Sequence, residues 1–278
     1  MRREHRGARP SAGRTAAASL LLLTALLAAS APLVSRYSPW TLDWDHLATP
    51  PSIGQGHWFG TDRLGRDLYV RTMLAVRLSF VIGLVSGVLS VAIGVIWGTA
   101  AALAGGKVDS LLMRIVDVLY SLPYLFLVII LTTLFGRGNL AVLLLAIAAV
   151  GWLTTARIVR GQTLALRHQP FMEAARALGA SRAHLVIRHV VPNIARPVLA
   201  YAILTVPQMI LFESFLSFLG LGVQEPGASL GSLLSAGAQE IESAPWMLIA
   251  PAAFLVTLLL CLNALGDTLR VGHDRERS

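Results

Sequence analysis

Pro170-Phe171-Met172-Glu173-Ala174-Ala175-Arg176-Ala177-Leu178-Gly179 is a short polar-looking helix in an otherwise oily chain. Pro170 suits a first helical position, and Glu173 sits in the first turn, where negative charge complements the helix dipole. Ala174, Ala175 and Ala177 make a smooth small-residue surface, and Gly179 can take the left-handed conformation that stops a helix. The segment around it, 157–197, holds seven arginines (157, 160, 167, 176, 182, 188 and 196) and one acid, Glu173. Apolar runs long enough to cross a bilayer flank it. A basic loop between two membrane helices stays on the cytoplasmic side, because Lys and Arg are retained there. Ser181 is placed to cap a second helix over 182–190, which Pro192 is expected to end.

Composition agrees with this placement. With 55% hydrophobic and 14% charged residues, the 278-residue chain is too apolar for a soluble domain. The net charge of +8 comes from 22 Arg and one Lys, spread over short segments between apolar runs. That distribution leaves no continuous basic face for nucleic acid. Cys261 is the only cysteine and lies inside an apolar run, so neither a disulfide framework nor a thiolate metal site is expected.

Toward the C-terminus, Val198 to Leu221 reads as a membrane span interrupted by Pro207 and carrying Gln208 and Glu213. An ionisable group inside a span faces a cavity or a partner. Two readings are therefore open for Glu213: lining a translocation path with Gln208, or bonding a helix of a partner subunit. The loop 224–245 carries Glu225, Glu240 and Glu242 and no Lys or Arg, as an external loop should, with a short helix expected over Leu230 to Ile241. Ser243-Ala244-Pro245-Trp246 anchors a last span that ends near Asp267.

Toward the N-terminus, the spans read Leu140 to about Ile158, Ile115 to Phe135, and Leu78 to Leu103. The Ile115–Phe135 span contains Pro123, and Arg114 is expected to pair with Asp117 at i,i+3 near its inner end. In the next span back, Gly83 and Gly87, and Gly94 and Gly98, lie four apart and place small residues where another helix can approach closely. Gly105-Gly106-Lys107 is not a phosphate loop, because Val108 replaces the Ser or Thr and the upstream glycine is missing. An irregular stretch with Trp40, Trp44 and Trp58 precedes these spans, and Ala16 to Val34 forms a first apolar run behind a basic arm. Ala29-Ser30-Ala31 offers a signal-cleavage pattern, but Pro32 would follow the cut, so an uncleaved first helix is expected. The chain thus divides into a tail and first helix (1–35), an external loop (36–77), five further spans (78–268) that include the basic loop, and a tail (269–278).

Six spans with both termini inside place 17 of the 23 Lys and Arg in the cytoplasm and six outside. The first external loop is the exception, with five arginines among four aspartates.

Three motifs carry a family resemblance. Glu173-Ala174-Ala175, then Gly179, then His189-Val190-Val191-Pro192 resembles the EAA loop of ABC-importer permeases, with Val190-Val191 where Ile-x-Leu-Pro is usual. Gly60-Thr61-Asp62-Arg63-Leu64-Gly65-Arg66-Asp67 resembles the signature before the second helix in the dipeptide, oligopeptide and nickel branch. Glu213 to Gly222 resembles the same branch, while Ala228-Ser229-Leu230-Gly231 departs from its Pro-Ser-Trp-Gly. The resemblance covers about Gly60 to Arg270. It implies an all-α, six-span type I permease fold in the cytoplasmic membrane, with Glu173, Ala174, Ala175, Gly179 and Pro192 receiving force from an ATPase. In the external motif the glycines allow tight turns and the alternating Asp and Arg side chains can pair among themselves, so Gly60, Asp62, Gly65, Arg66 and Asp67 either shape the external loop or touch the substrate. The implied partners are a second permease, two ABC ATPase subunits that hold ATP and Mg²⁺, an external solute-binding protein and membrane lipid, with no cofactor on this chain. The implied cargo is a di- or oligopeptide, with nickel, another metal or glutathione as alternatives.

Two other classes fit less well. An ion-coupled secondary transporter needs mid-membrane ionisable groups and usually an internal repeat, and Glu213 alone qualifies. A membrane enzyme needs convergent catalytic groups, whereas the seven histidines are scattered. His46 and His57 lie outside, and His184 and His189, five apart, do not share a face of an α-helix, so no metal site is expected.

Overall fold

The computed structural model describes residues 12–136 and 138–275. The basic arm of Arg2, Arg3, Arg6 and Arg9, the turn residue Arg137, and Arg277 of the tail lie outside them. The elements of the described chain are helices: α1 (Ala12–Val34), α2 (Leu68–Ala104), α3 (Gly106–Ser121), α4 (Tyr124–Phe135), α5 (Leu140–Arg167), α6 (Pro170–Ala177), α7 (Arg182–His184), a π-helical turn (Leu185–Val190), α8 (Val191–Phe218), α9 (Leu230–Gln239) and α10 (Trp246–Arg275). Five helical stretches are long and apolar enough to cross a membrane, and a sixth crossing results if α3 and α4 form one broken span. Ile96, Leu134, Ile249 and Leu260 point outward, each more than 60% exposed, a placement that lipid accepts and water would penalise.

Helix ends follow local chemistry. Asp67 caps α2 by accepting from Val70 N at 2.9 Å, so α2 begins ten residues before the expected Leu78 and takes Arg71 and Arg77 out of the external loop. Arg77 donates to the carbonyls of Ala28 and Ala29 on α1. Pro32, within α1, has no N–H for the Ala28 carbonyl, and the guanidinium takes that place. Asn139 caps α5 by accepting from Ala141 N at 3.0 Å.

The expected third span is not one helix. Its two pieces meet at 89°, with Leu122 extended at φ −75°, ψ 138°. The residue before a proline is disfavoured in the α conformation, so Pro123 takes the chain out of the helix at Leu122.

The basic loop is also shorter than expected, because α5 continues to Arg167 and only a short stretch separates it from α7. Pro192 does not end a helix there. The Val191 N–H reaches back five residues to the Val186 carbonyl, and the widened π turn runs straight into α8. A proline removes one N–H and crowds the carbonyl four residues back, and the wider turn accommodates both.

The packing centre is the contact of α2 with α5. A Cβ at Gly94 would stand 2.5 Å from Thr155 Cβ, and one at Gly98 would stand 2.5 Å from the Ala156 carbonyl oxygen. Gly83 and Gly87 meet Ile210 and Val206 of α8 instead. The two glycine pairs thus admit two different helices. One apolar cluster joins α1, α2, α8, α9 and α10 around Met73, Val76, Ile210 and Leu258. A second joins α2, α4, α5 and α8 around Ile82, Ile147 and Leu216.

Candidate coupling surface and translocation cavity

Helix α6 is fixed on one side and open on the other. Met172 is fully buried with Val159, Leu185, Val190 and Ile194, and Ala175 packs against the same cluster. Its end follows the expected glycine stop. Gly179 has φ +79°, and Ala180 N donates to the Ala175 carbonyl at 3.0 Å. The other face presents Phe171, Glu173, Ala174 and Leu178 to the outside. Leu178 is 88% exposed and Ile187 72%. These exposed apolar groups stand beside the charged Glu173 and Arg176 on the same loop. Pro192 lies on the first turn of α8, also exposed.

Arg157, Arg160 and Arg167 bond to other parts of the bundle. Arg160 grips Asp109 of α3 with two 2.6 Å bonds, and Arg157 meets Asp117 at 2.8 Å while covering the Tyr120 ring. Arg167 donates to the Ala102 carbonyl at 3.2 Å. Asp117 therefore bonds across to α5 in place of the expected i,i+3 partner Arg114. The fork of Arg160 is the geometry that guanidinium and carboxylate favour.

The break at Pro123 opens a cavity of about 370 Å³ between α3, α4, α5 and α8. Tyr120, Tyr124, Thr154, Tyr201, Thr205 and Gln208 give it polar atoms, set among apolar side chains. The Tyr124 hydroxyl is buried and has no hydrogen-bond partner among the described residues. Of the two residues expected to line a path, Gln208 lies on this wall and Glu213 does not. Glu213 is fully buried, accepting from Ser79 Oγ of α2 at 2.8 Å and from Ser217 Oγ at 2.6 Å. Neither sequence reading of Glu213 anticipated this, because its partners are hydroxyls of its own chain. Ser79 Oγ in turn accepts from Leu230 N at the start of α9, at 3.1 Å. Ser229, which caps α9 through a reciprocal box with Ser232, and Leu230 are both buried, so the segment that departs from the family pattern is a packed junction.

The external motif folds into a knot over the start of α2. Asp62 accepts from Leu64 N, Arg66 N and Arg66 Nε, the last at 2.7 Å. Arg66 also reaches Glu225 with bonds of 2.6 and 3.2 Å. The nearly buried Arg71 joins Glu225 at 3.1 Å and the Pro39 carbonyl at 3.2 Å. Burial alone would raise the Glu225 carboxyl, but the Arg66 hydrogen bond and the charges of Arg71 and Arg66 outweigh it and hold it below the usual range. Arg63 stands 3.4 Å from Glu240, so Arg63, Arg66 and Arg71 are matched by the acids Glu240 and Glu225 of the last external loop. Asp67 bonds His57 Nδ1 at 2.8 Å in place of an arginine. Gly60 and Gly65 have φ of +78° and +74°, and a Cβ at either would strike the backbone of Thr49 or Asp43.

Two histidine arrangements escaped the sequence. The π turn brings the rings of His184 and His189 to 5.8 Å, because residues five apart share a face in a π-helix. Outside, Asp43, His46 and His57 converge, with one ligand atom from each lying within 4.8 Å of the others. No local spacing signals that second cluster, since backbone pairing of 48–52 with 57–62 creates it.

Residues 90–275 match the family model for the inner membrane component of binding-protein-dependent transport systems. The chain is 49% identical to the oligopeptide transport system permease protein OppC of Escherichia coli K12, over 94% of this chain and 87% of that one. It is 42% identical to the OppC of Bacillus subtilis 168, over 92% and 83%, and 40% identical to that organism's dipeptide transport system permease protein DppC, over 92% and 79%. Among solved structures, a chain of the inward-facing MetNI methionine ABC transporter superimposes with a TM-score of 0.55 at 20% identity, over 71% of this chain and 94% of that one.

Proposed function

Because the chain belongs to the family of inner membrane components of binding-protein-dependent transport systems, we propose that it is one permease subunit of an ATP-driven oligopeptide importer. The observation that carries the reading is α6, anchored by Met172 yet exposing Phe171, Glu173, Ala174 and Leu178. A helix seated on the bundle base but open beneath can receive a push and pass it to α5 and α8. The sequence has no phosphate loop, so ATP and Mg²⁺ belong to two partner ATPase subunits that dock there. A second permease would complete the cavity, and an external binding protein would deliver the cargo. On this reading both termini face the cytoplasm, which six crossings, with α3 and α4 as one, and the excess of arginine near α6 support.

The cargo reading rests on the relatives and on the cavity wall. Hydroxyls of three tyrosines and two threonines, with the Gln208 amide, suit the amide groups of a peptide. Among the described residues the wall offers no imidazole, thiolate or carboxylate, the ligands that a bare nickel ion selects. In proteoliposomes holding the four-subunit complex, uptake of a labelled peptide should require both ATP and the binding protein and survive an ionophore. Uptake that collapses with the ionophore, or that proceeds without ATP, overturns the reading.

A further inference from the structure

The external cluster of two imidazoles and a carboxylate has the layout of a coordination site. We propose that Asp43, His46 and His57 bind a divalent transition ion of the Zn²⁺ class on the outer face of the protein. His57 is the decisive residue. It is 1% exposed and stacked against Tyr37 with ring centroids 4.2 Å apart. Its Nδ1 lies 2.8 Å from Asp67 Oδ2, and the other Asp67 oxygen already accepts from Val70 N. An ionised carboxylate only accepts, so the Nδ1 bond places a proton there, and in the neutral imidazole Nε2 then carries the lone pair a metal needs. Nε2 is buried and has no hydrogen-bond partner among the described residues. A histidine whose far nitrogen donates to a carboxylate, with the near one bare, is the usual arrangement of a metal ligand and its supporting group.

The remaining two ligands come from one turn. His46 N donates to the Asp43 carbonyl, and His46 Nδ1 lies 2.9 Å from Asp43 Oδ2. Both side chains are about one-third exposed, 32% and 29%, so an ion can reach them from outside. Ligand atoms around a tetrahedral Zn²⁺ with bonds of about 2.0–2.1 Å lie roughly 3.3 Å apart. Rotation of these two partly exposed side chains would bring the ligand atoms, now within 4.8 Å of one another, to that spacing while the buried His57 stays in place. Nitrogen-rich coordination selects Zn²⁺ and its neighbours over Ca²⁺ or Mg²⁺, and three protein ligands leave the fourth position to water. Bound metal would tie the Asp43–His46 turn through His57 and Asp67 to the first turn of α2.

Calorimetric titration of the full-length, untagged chain in detergent with Zn²⁺ alone tests this. The wild type should bind one ion per chain at this site. Asp43→Asn and His46→Ala, both at partly exposed positions where the fold should stay intact, should each weaken binding by roughly 10- to 100-fold. His184→Ala/His189→Ala should leave it unchanged. Limited proteolysis should show Zn²⁺ protecting residues 36–67 in the wild type and not in the His46→Ala chain. The proposal is overturned if the wild type binds no Zn²⁺, or if its binding follows the cytoplasmic pair and ignores Asp43 and His46.

Discussion

Ser79 Oγ of α2 donates a 2.8 Å hydrogen bond to the Glu213 carboxylate of α8, inside the protein and away from the cavity. A charged-looking residue at mid-span thus acts as an internal fastening. Glu213→Gln should keep its Ser79 and Ser217 contacts, fold, and transport with unchanged peptide preference. Glu213→Leu should leave both hydroxyls without their acceptor and lower stability by about 1–3 kcal/mol. Thermal melts in detergent, with peptide competition assays, distinguish the two. Altered peptide selectivity in Glu213→Gln would place the residue on the path after all.

Gly98 and Gly161 make a matched pair for the α2–α5 contact. A methyl group at Gly98 would meet the Ala156 carbonyl and Arg160 N within 3 Å, whereas Gly161 on α5 has open space around it. Gly98→Ala should destabilise by about 1–3 kcal/mol through overpacking. Gly161→Ala should be neutral or stabilising by up to about 1 kcal/mol, since alanine is the better helix former. Equal melting temperatures for the two variants would contradict the close approach.

For the coupling surface, Leu178→Asp and Glu173→Lys should insert and fold normally, because both side chains point away from the Met172 anchor. Loss of one well-placed interface side chain is worth about 1.4 kcal/mol, or roughly tenfold weaker ATPase association. Pull-down of the ATPase subunits and coupled transport should fall together. A Leu178→Asp chain that transports at the wild-type rate would remove α6 from the drive train.

The outer seam should be sensitive to acid. Glu225 is held below its ordinary value of 4.5 by Arg66 and Arg71, so its contribution is fully present above that value and is lost as pH falls through the lower, folded one. Glu225→Gln lacks that contribution at every pH. The melting temperatures of wild type and variant should therefore differ at neutral pH and converge below about pH 4.5. Parallel curves down to pH 3 would show that Glu225 carries none of the seam's stability.

What could be read from residues alone was whatever depends on near neighbours. Apolar run length marked the crossings, glycines four apart marked the close faces of α2, and Pro170 to Gly179 marked a short helix with a glycine stop. Each of these is set by the 3.6-residue period and by backbone preference within a few positions. Proline reading was less successful. Pro123 breaks a helix expected to run through it, and Pro192, expected to end a helix, is instead absorbed by a π turn that runs on into α8. Each outcome depends on how the surrounding packing accommodates the proline.

Partner choice belonged to the tertiary structure. Asp117 bonds Arg157 on another helix and not Arg114 on its own, Glu213 finds serines, and Arg66 finds Glu225 across 159 positions. Which side chains meet depends on how far helices rotate and how closely they approach, and no local period encodes that. The exposed run from Phe171 to Leu178 could therefore be read as a helix from its residues. That its Met172 is the buried anchor and its opposite face an open surface was decided only when α5, the π turn and α8 closed around it.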